Sequence, residues 1–273
     1  MIVFPHAKIN LGLYVTGKRP DGYHDIETVF YPVPLCDALE AIEDFSLSNQ
    51  IDLTVTGNDS LTAKDNLCIK AYQLLQKDFK LPSVKVHLHK IIPTGAGLGG
   101  GSADAVFMLK ILNKLFKLKL TGDALKKYAL ELGSDCPFFI DNKPVHATGR
   151  GEIMQPAEVS LKDYFISIIK PQVSVSTAVA YKMIKPQKPR MPILSAIQQP
   201  IEKWKDLLTN DFEKPVFEKH PEIENVKKKL YDAGAVFALM SGSGSAVYGI
   251  FKREIDFKNI FDNSFFISVS KLF

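Results

Sequence analysis

Between Pro93 and Ala105 the chain reads PTGAGLGGGSADA, where glycine takes five of thirteen positions and no lysine appears. Glycine gives up more backbone freedom on folding than any other residue, so crowding it into one stretch is costly unless something must approach the backbone closely. The flanking segments limit the options. VKVHLHKI, before it, alternates with Val84, Val86 and Leu88 on one face, the period of a half-buried strand. AVFMLKILNKLF, after it, sets Met108, Leu109, Leu112, Leu115 and Phe116 along one helical face. A strand-to-helix connection ends on a first helical turn, whose N–H groups lack intrahelical partners and which carries the positive end of the dipole. Such a turn suits an anion, phosphate above all. A flexible linker is not normally clamped between an apolar strand and an apolar helix, and that reading is set aside.

Several phosphate-binding designs begin this way, and three of them fail on particular residues. Gly95, Gly97 and Gly100 fit GxGxxG, but a dinucleotide site also needs an acidic residue about 20 positions on at a strand end. The nearest, Asp123, lies in TGDALKKYALEL, which reads as a helix start. A P-loop needs a lysine before its Ser or Thr, and here Ser102 follows Gly101. The VAIK, HRD and DFG segments of a protein kinase are absent. What survives is an anion nest without a loop lysine.

Along the rest of the chain Ile9, Leu11, Leu13 and Val15 alternate with Asn10, Gly12 and Tyr14, predicting a strand with one apolar face, broken at Pro20, Asp21 and Gly22. IDLTVT, from Ile51 to Thr56, predicts another, closed by GNDS. DNLCIKAYQLLQKDF predicts a helix capped by Asp65 or Asn66, with Leu67, Ala71, Leu74 and Leu75 at helical spacing. A further helix, Gly122 to Leu132, delivers GSDCPFF after Gly133. Beyond residue 150 the pattern turns to strands and a basic, proline-rich loop, KPQKPRMP, then a helix from Pro221 to Tyr231 stopped near Gly234. VFALM and AVYGIF flank a small-residue turn, Ser241 to Ser245.

These segments make an α+β body in two lobes with a boundary near residue 150, a size that 273 residues allow. Net charge of +4, from 34 basic and 30 acidic residues, demands no polyanionic partner and is compatible with a small anionic ligand. Cys36, Cys68 and Cys136 are odd in number, far apart and outside any CxxC pair, against a disulfide framework or zinc site and in keeping with a reducing cytoplasm. The N-terminal apolar run is interrupted by Pro5, His6, Lys8 and Asn10, and no segment nears the roughly 20 apolar residues of a membrane span. His87 and His89 share one strand face but lack a third ligand, so they read as exposed polar positions. KPQKPRMP has no interleaved aromatics and reads as a solvated loop, not a nucleic-acid patch.

The loop PTGAGLGGGSADA resembles the second motif of the GHMP small-molecule kinases, which include galactokinase, homoserine kinase, mevalonate kinase and phosphomevalonate kinase and hold ATP without a Walker lysine. SGSGSAVYGIF resembles their third motif. AKINLGLYVTGKRPDGYH and ELGSDCPFF are narrower: they are similar to the members whose acceptor is 4-diphosphocytidyl-2-C-methyl-D-erythritol, in the non-mevalonate isoprenoid pathway. The likeness runs from residue 7 to about residue 250.

The resemblance implies a two-lobed α+β fold: residues 1–150 like ribosomal protein S5 domain 2, residues 151–273 ferredoxin-like, the acceptor between them. It implies Asp135 as the base taking the acceptor's 2-hydroxyl proton, with Lys8 beside it. For ATP it implies Asn66, Lys90 and the run Pro93, Thr94, Gly95, Ala96, Gly97, Leu98, Gly99, Gly100, Gly101, Ser102, Ala103 and Asp104. For the cytidylyl acceptor it implies Asn10, Tyr23, His24, Thr177 and Tyr181, where a tyrosine ring can stack on a pyrimidine. ATP chemistry brings Mg²⁺, with Ser102 as a contact and its other ligands unassigned. The expected partners are these two small molecules, with no nucleic acid or membrane, and the expected state is a monomer or weak homodimer. The rivals are a GHMP kinase for homoserine or mevalonate derivatives, lacking the DGYH group, and a non-catalytic nucleotide or RNA-binding module, which has no use for an acid at a transfer site.

Overall fold

The computed structural model describes residues 1–46, 50–57 and 66–272. Asp65 and most of the GNDS turn lie outside the described residues. In chain order the first elements are β1 (Ile2–Val3), β2 (His6–Lys18), β3 (His24–Cys36), β4 (Ala38–Glu43), β5 (Ile51–Thr56), α1 (Leu67–Gln76) and β6 (Val84–His89). Next come α2 (Gly100–Leu115), α3 (Gly122–Leu132), α4 (Phe138–Asp141), β7 (Val145–Thr148), β8 (Ile153–Pro156) and β9 (Phe165–Lys170). The remainder is α5 (Thr177–Lys182), α6 (Ile193–Ile197), α7 (Trp204–Leu207), α8 (Glu213–Lys219), α9 (Pro221–Asp232), β10 (Phe237–Met240), β11 (Val247–Phe251) and β12 (Phe266–Lys271).

Contacts divide the chain into two compact units, one of Met1–Ala7, Leu35–Ile92 and Gly99–Lys143, the other of Lys8–Pro34, Pro93–Leu98 and Pro144–Phe273. In the first, a sheet of order β1-β4-β6-β5 pairs β6 antiparallel to β4 and parallel to β5. The alternation of β6 is realised: Val84, Val86 and Leu88 are buried, while Lys85, His87 and His89 are exposed. Three helices, α1, α2 and α3, pack on one another, with α1 against β5 and α2 against β4. Asn66 caps α1, its Oδ1 accepting the Cys68 N–H at 2.9 Å.

Helix α2 starts earlier than its apolar pattern predicts. Gly99 takes a left-handed φ of 71° as its N-cap, no side chain caps the turn, and Gly100 to Asp104 are already helical. Apolar periodicity cannot register this, because glycine, serine and alanine open the helix before the first large side chain. Ala103, Ala105, Val106, Met108, Leu109, Ile111 and Leu112 bury its inner face.

The second unit holds two sheets, β2-β3-β7-β8 and the antiparallel β10-β11-β9-β12. The latter, with helices inserted between β9 and β10, fits the ferredoxin-like expectation. In it, α9 lays Ile223, Val226 and Leu230 against β10 and β11. The predicted single apolar face of β2 is corrected: Ala7 through Val15 are all buried. A Cβ on Gly12 would lie 3.0 Å from Ile193 Cδ1 and 3.3 Å from Leu208 Cδ2, so the second face is covered by chain from beyond residue 190. Strand β3 carries Pro32 and Pro34 and no clean alternation, and the sequence pattern does not delimit it.

The Ser241–Ser245 turn joins β10 to β11 and packs against Pro93–Leu98. Ser241 Oγ donates to the Gly97 carbonyl at 2.9 Å, and Ala246 N–H donates to the Ala96 carbonyl at 3.2 Å. Gly97, at φ 77°, sits so close that a Cβ there would overlap the carbonyl oxygen of Ser241. Gly97→Ala therefore combines a left-handed conformation with a backbone collision, and should lower the unfolding free energy in urea by about 2–4 kcal/mol.

Candidate active site

Buried charge lies under the start of α2. Lys90, one residue past β6, is 5% exposed, Asp104 in α2 2%, and Asp37, between β3 and β4, 0%. Lys90 Nζ donates to Asp104 Oδ2 at 2.7 Å and to Asp37 Oδ2. The other oxygen of Asp37 accepts the N–H groups of Ile91 and Ile92, at 2.6 and 2.8 Å. Asp104 Oδ1 is buried without a hydrogen-bond partner among the described residues. Burial raises the Asp104 carboxyl to about 7, with the Lys90 charge pulling it down and the Asp37 charge pushing it up.

Gly100 rests on this cluster: a Cβ there would lie 2.8 Å from Ile92 Cγ2 and 3.3 Å from Lys90 Nζ. On Gly101, which is exposed, only Leu67 Cδ1, at 3.8 Å, comes within 4 Å of a Cβ position among the described residues. The turn is thus pressed onto its support on one side and open on the other. Ser102 Oγ donates to Asp135 Oδ1 at 2.9 Å. Asp135 is brought there by the turn after α3, in which Cys136 N–H donates to Gly133 O and Phe138 N–H to Asp135 O.

In the second unit, Thr94 and Gly95 are exposed while Ala96 and Leu98 turn inward. Lys8, 5% exposed, donates from Nζ to Asn10 Oδ1 at 2.8 Å and lies 4.9 Å from the Phe30 ring centre. Asn10 Oδ1 also accepts the Gly242 N–H at 3.0 Å, its Nδ2 donates to Thr28 Oγ1 at 2.9 Å, and its carbonyl accepts Tyr248 OH at 2.8 Å. Tyr23 is 57% exposed with the Arg150 guanidinium 4.9 Å over its ring. The His24 and Tyr181 rings stack at 5.0 Å and 22°. Thr177 Oγ1 and Ser243 Oγ are bonded at 2.9 Å. Within this unit the structure gathers two groups, an interior one at Asn10 and an aromatic one at its surface.

The GHMP kinases N terminal domain matches residues 66–143 and the GHMP kinases C terminal matches residues 193–263. A Bacteroides thetaiotaomicron protein named 4-diphosphocytidyl-2-C-methyl-D-erythritol kinase is 55% identical over 93% of both chains. A Porphyromonas gingivalis protein of the same name is 45% identical, again over 93% of each. This chain belongs to the GHMP kinase family.

Among solved structures, a 4-(cytidine 5'-diphospho)-2C-methyl-D-erythritol kinase superposes with a TM-score of 0.78 at 31% identity, covering 92% of this chain and 90% of that one. A homoserine kinase from Cytophaga hutchinsonii, TM-score 0.70 at 18% identity over 100% of this chain and 94% of that one, shares the GHMP kinase fold.

A GHMP kinase implies Mg²⁺ with its ATP, and the residues here fit it. Ser102 Oγ and Asp135 Oδ1 are hard oxygens that meet at the start of α2, and nucleotide-bound Mg²⁺ takes one or two such ligands besides phosphate oxygens and water. Among the described residues no group of three or more His, Cys, Asp or Glu forms a protein cage for a metal.

Sequence reasoning missed Asp37, Arg150 and Asn210. Asn210 Nδ2 donates to the carbonyls of Met240 and Gly242, both at 2.8 Å, and so shapes the second glycine turn. Arg150, between two glycines in TGRGE, carried a signal: a charged side chain in a tight turn.

Asp104 holds its proton more tightly in this GHMP kinase than in the unfolded chain, so its contribution to stability is full below pH 4 and lost as pH rises through about 7. Urea unfolding of wild type and Asp104→Asn between pH 4 and 8 should show a decline in the wild type that the variant lacks.

Proposed function

We infer that this kinase transfers the γ-phosphoryl group of ATP to the 2-hydroxyl of 4-diphosphocytidyl-2-C-methyl-D-erythritol, a step of the non-mevalonate route to isoprenoid precursors. Relatives of that name at 45–55% identity over 93% of the chain support the acceptor. The geometry that carries the mechanism is the Ser102–Asp135 hydrogen bond, which holds a carboxylate at the open first turn of α2, where phosphate is favoured.

ATP lies along Pro93–Ala103, its phosphates facing the N–H groups of the loop and first helical turn, with Asn66 nearby and Lys90 and Asp104 acting from beneath. Ser102 would hold Mg²⁺, which when bound would supply positive charge to the phosphate oxygens. Asp135 accepts the proton of the acceptor hydroxyl through the oxygen that Ser102 leaves unoccupied, and the hydroxyl oxygen attacks the γ-phosphorus in line as ADP leaves. Lys8 balances the charge that develops, its ammonium aimed by Asn10. Tyr23, His24, Thr177 and Tyr181 take the cytidylyl end, with Tyr23 held flat by Arg150 and free on its exposed face to stack on the base. The reaction calls for no nucleic acid or membrane, and we place it in the cytoplasm, in a monomer or weak homodimer.

ADP release with Mg-ATP tests the reading, comparing the cytidylyl acceptor with methylerythritol 4-phosphate, mevalonate and homoserine. Turnover with the cytidylyl compound alone is expected; turnover with another acceptor discards the assigned acceptor. Asp135→Asn should lower kcat by about 10² to 10⁴ with little change in thermal stability, and near-normal turnover would remove Asp135 from its role.

A further inference from the structure

We propose that Asp37 is a positioning residue for the nucleotide: its carboxylate fixes the strand end from which the glycine loop departs, and through it the seating of Gly100–Ser102. The proposal rests on the reading of that loop as the ATP site.

Asp37 is fully buried between β3 and β4, and its own N–H is bonded to Pro5 O at 3.0 Å, so the backbone that carries it is anchored. The ladder of β6 ends at His89. Past it, Lys90 N–H still reaches Thr56 O, at 2.8 Å, while the N–H groups of Ile91 and Ile92 go to Asp37 Oδ1. Oδ2 takes the ammonium of Lys90. One carboxylate thus grips three consecutive residues where the sheet stops holding the chain.

The route from there to the helix is short. Ile92 and Lys90 are the two side chains against which Gly100 is pressed, with room for no Cβ between. A shift of either lifts or tilts the first turn of α2. Backbone donors that meet phosphate lose their effect steeply with misplacement, on the order of 10²-fold for 1 Å.

The chemistry is specific to a carboxylate. Both oxygens of Asp37 accept, and all three partners donate. Asn has one acceptor and one donor group, so whichever way its amide is turned it sets an NH₂ against either the Lys90 ammonium or the two peptide N–H groups. Asp37→Asn is nearly isosteric yet cannot hold both ends.

Steady-state kinetics on full-length Asp37→Asn, at a temperature where its circular dichroism matches the wild type, test this. Leu75→Ala, a buried substitution two turns along α1 from Leu67, serves as a control for general destabilisation. The expected result is a KM for ATP raised about 10- to 100-fold, KM for the acceptor within about twofold of wild type, and ADP affinity by calorimetry weakened in parallel with the ATP effect. Leu75→Ala should leave both KM values alone. Should Asp37→Asn not fold, Asp37→Glu keeps the charge but lengthens the arm, and is expected to raise KM for ATP selectively. Equal rises for both substrates, or a KM for ATP no higher than in Leu75→Ala, overturn the proposal for Asp37 while leaving the kinase intact. Failure of the wild type to bind ADP or turn over ATP removes the loop reading and this inference with it.

Discussion

One ammonium shared by two carboxylates, out of reach of water, underlies the start of α2 in the first unit. Removing ionisable groups from solvent is expensive, and such clusters add little net stability over apolar packing. Their effect is directional: Lys90 has one place where both partners can be satisfied, so the chain leaving β6 has one path. The glycine turn has no large side chains of its own to lock it, and its shape comes from what it rests on. A turn built of glycines has to take its rigidity from elsewhere.

The second glycine turn obeys the same rule with neutral groups. Asn210 collects the carbonyls of Met240 and Gly242, while Ser241 and Ala246 bond across to Gly97 and Ala96. Two flexible segments, each unable to define a conformation alone, brace one another through backbone contacts that a single methyl group would prevent. Glycine here serves close packing as much as ligand access.

The strands and helices with regular periodicity were legible from the sequence: β5, β6 and α3 fall where alternation and helical spacing place them. Local patterns failed where the determining partner is remote. The two-sided burial of β2 depends on Ile193 and Leu208, and the start of α2 on a Gly99 conformation that no side chain announces. The same division holds at the site. Asp135 and the glycine loop stand out in composition, but Asp37 sits in the unremarkable LCDAL, 53 residues from Lys90, and the bond from Asn10 to Gly242 spans 232 residues. Lys90 and Asp104 could be read as ligands of ATP from family resemblance alone; that they are bonded to each other is visible only in three dimensions.

Asn10 carries an implication for how this enzyme can change over generations. Its side-chain amide serves Lys8, Thr28 and Gly242 at once, so a substitution there would be felt in its own strand, in β3 and in the Ser241–Ser245 turn together. Tyr23, by contrast, has more than half of its surface exposed, with Arg150 over its ring. Substitution is therefore far easier at position 23, where one exposed aromatic can be exchanged at little cost, than at the interior amide. Diverging lineages should keep position 10 and vary around position 23.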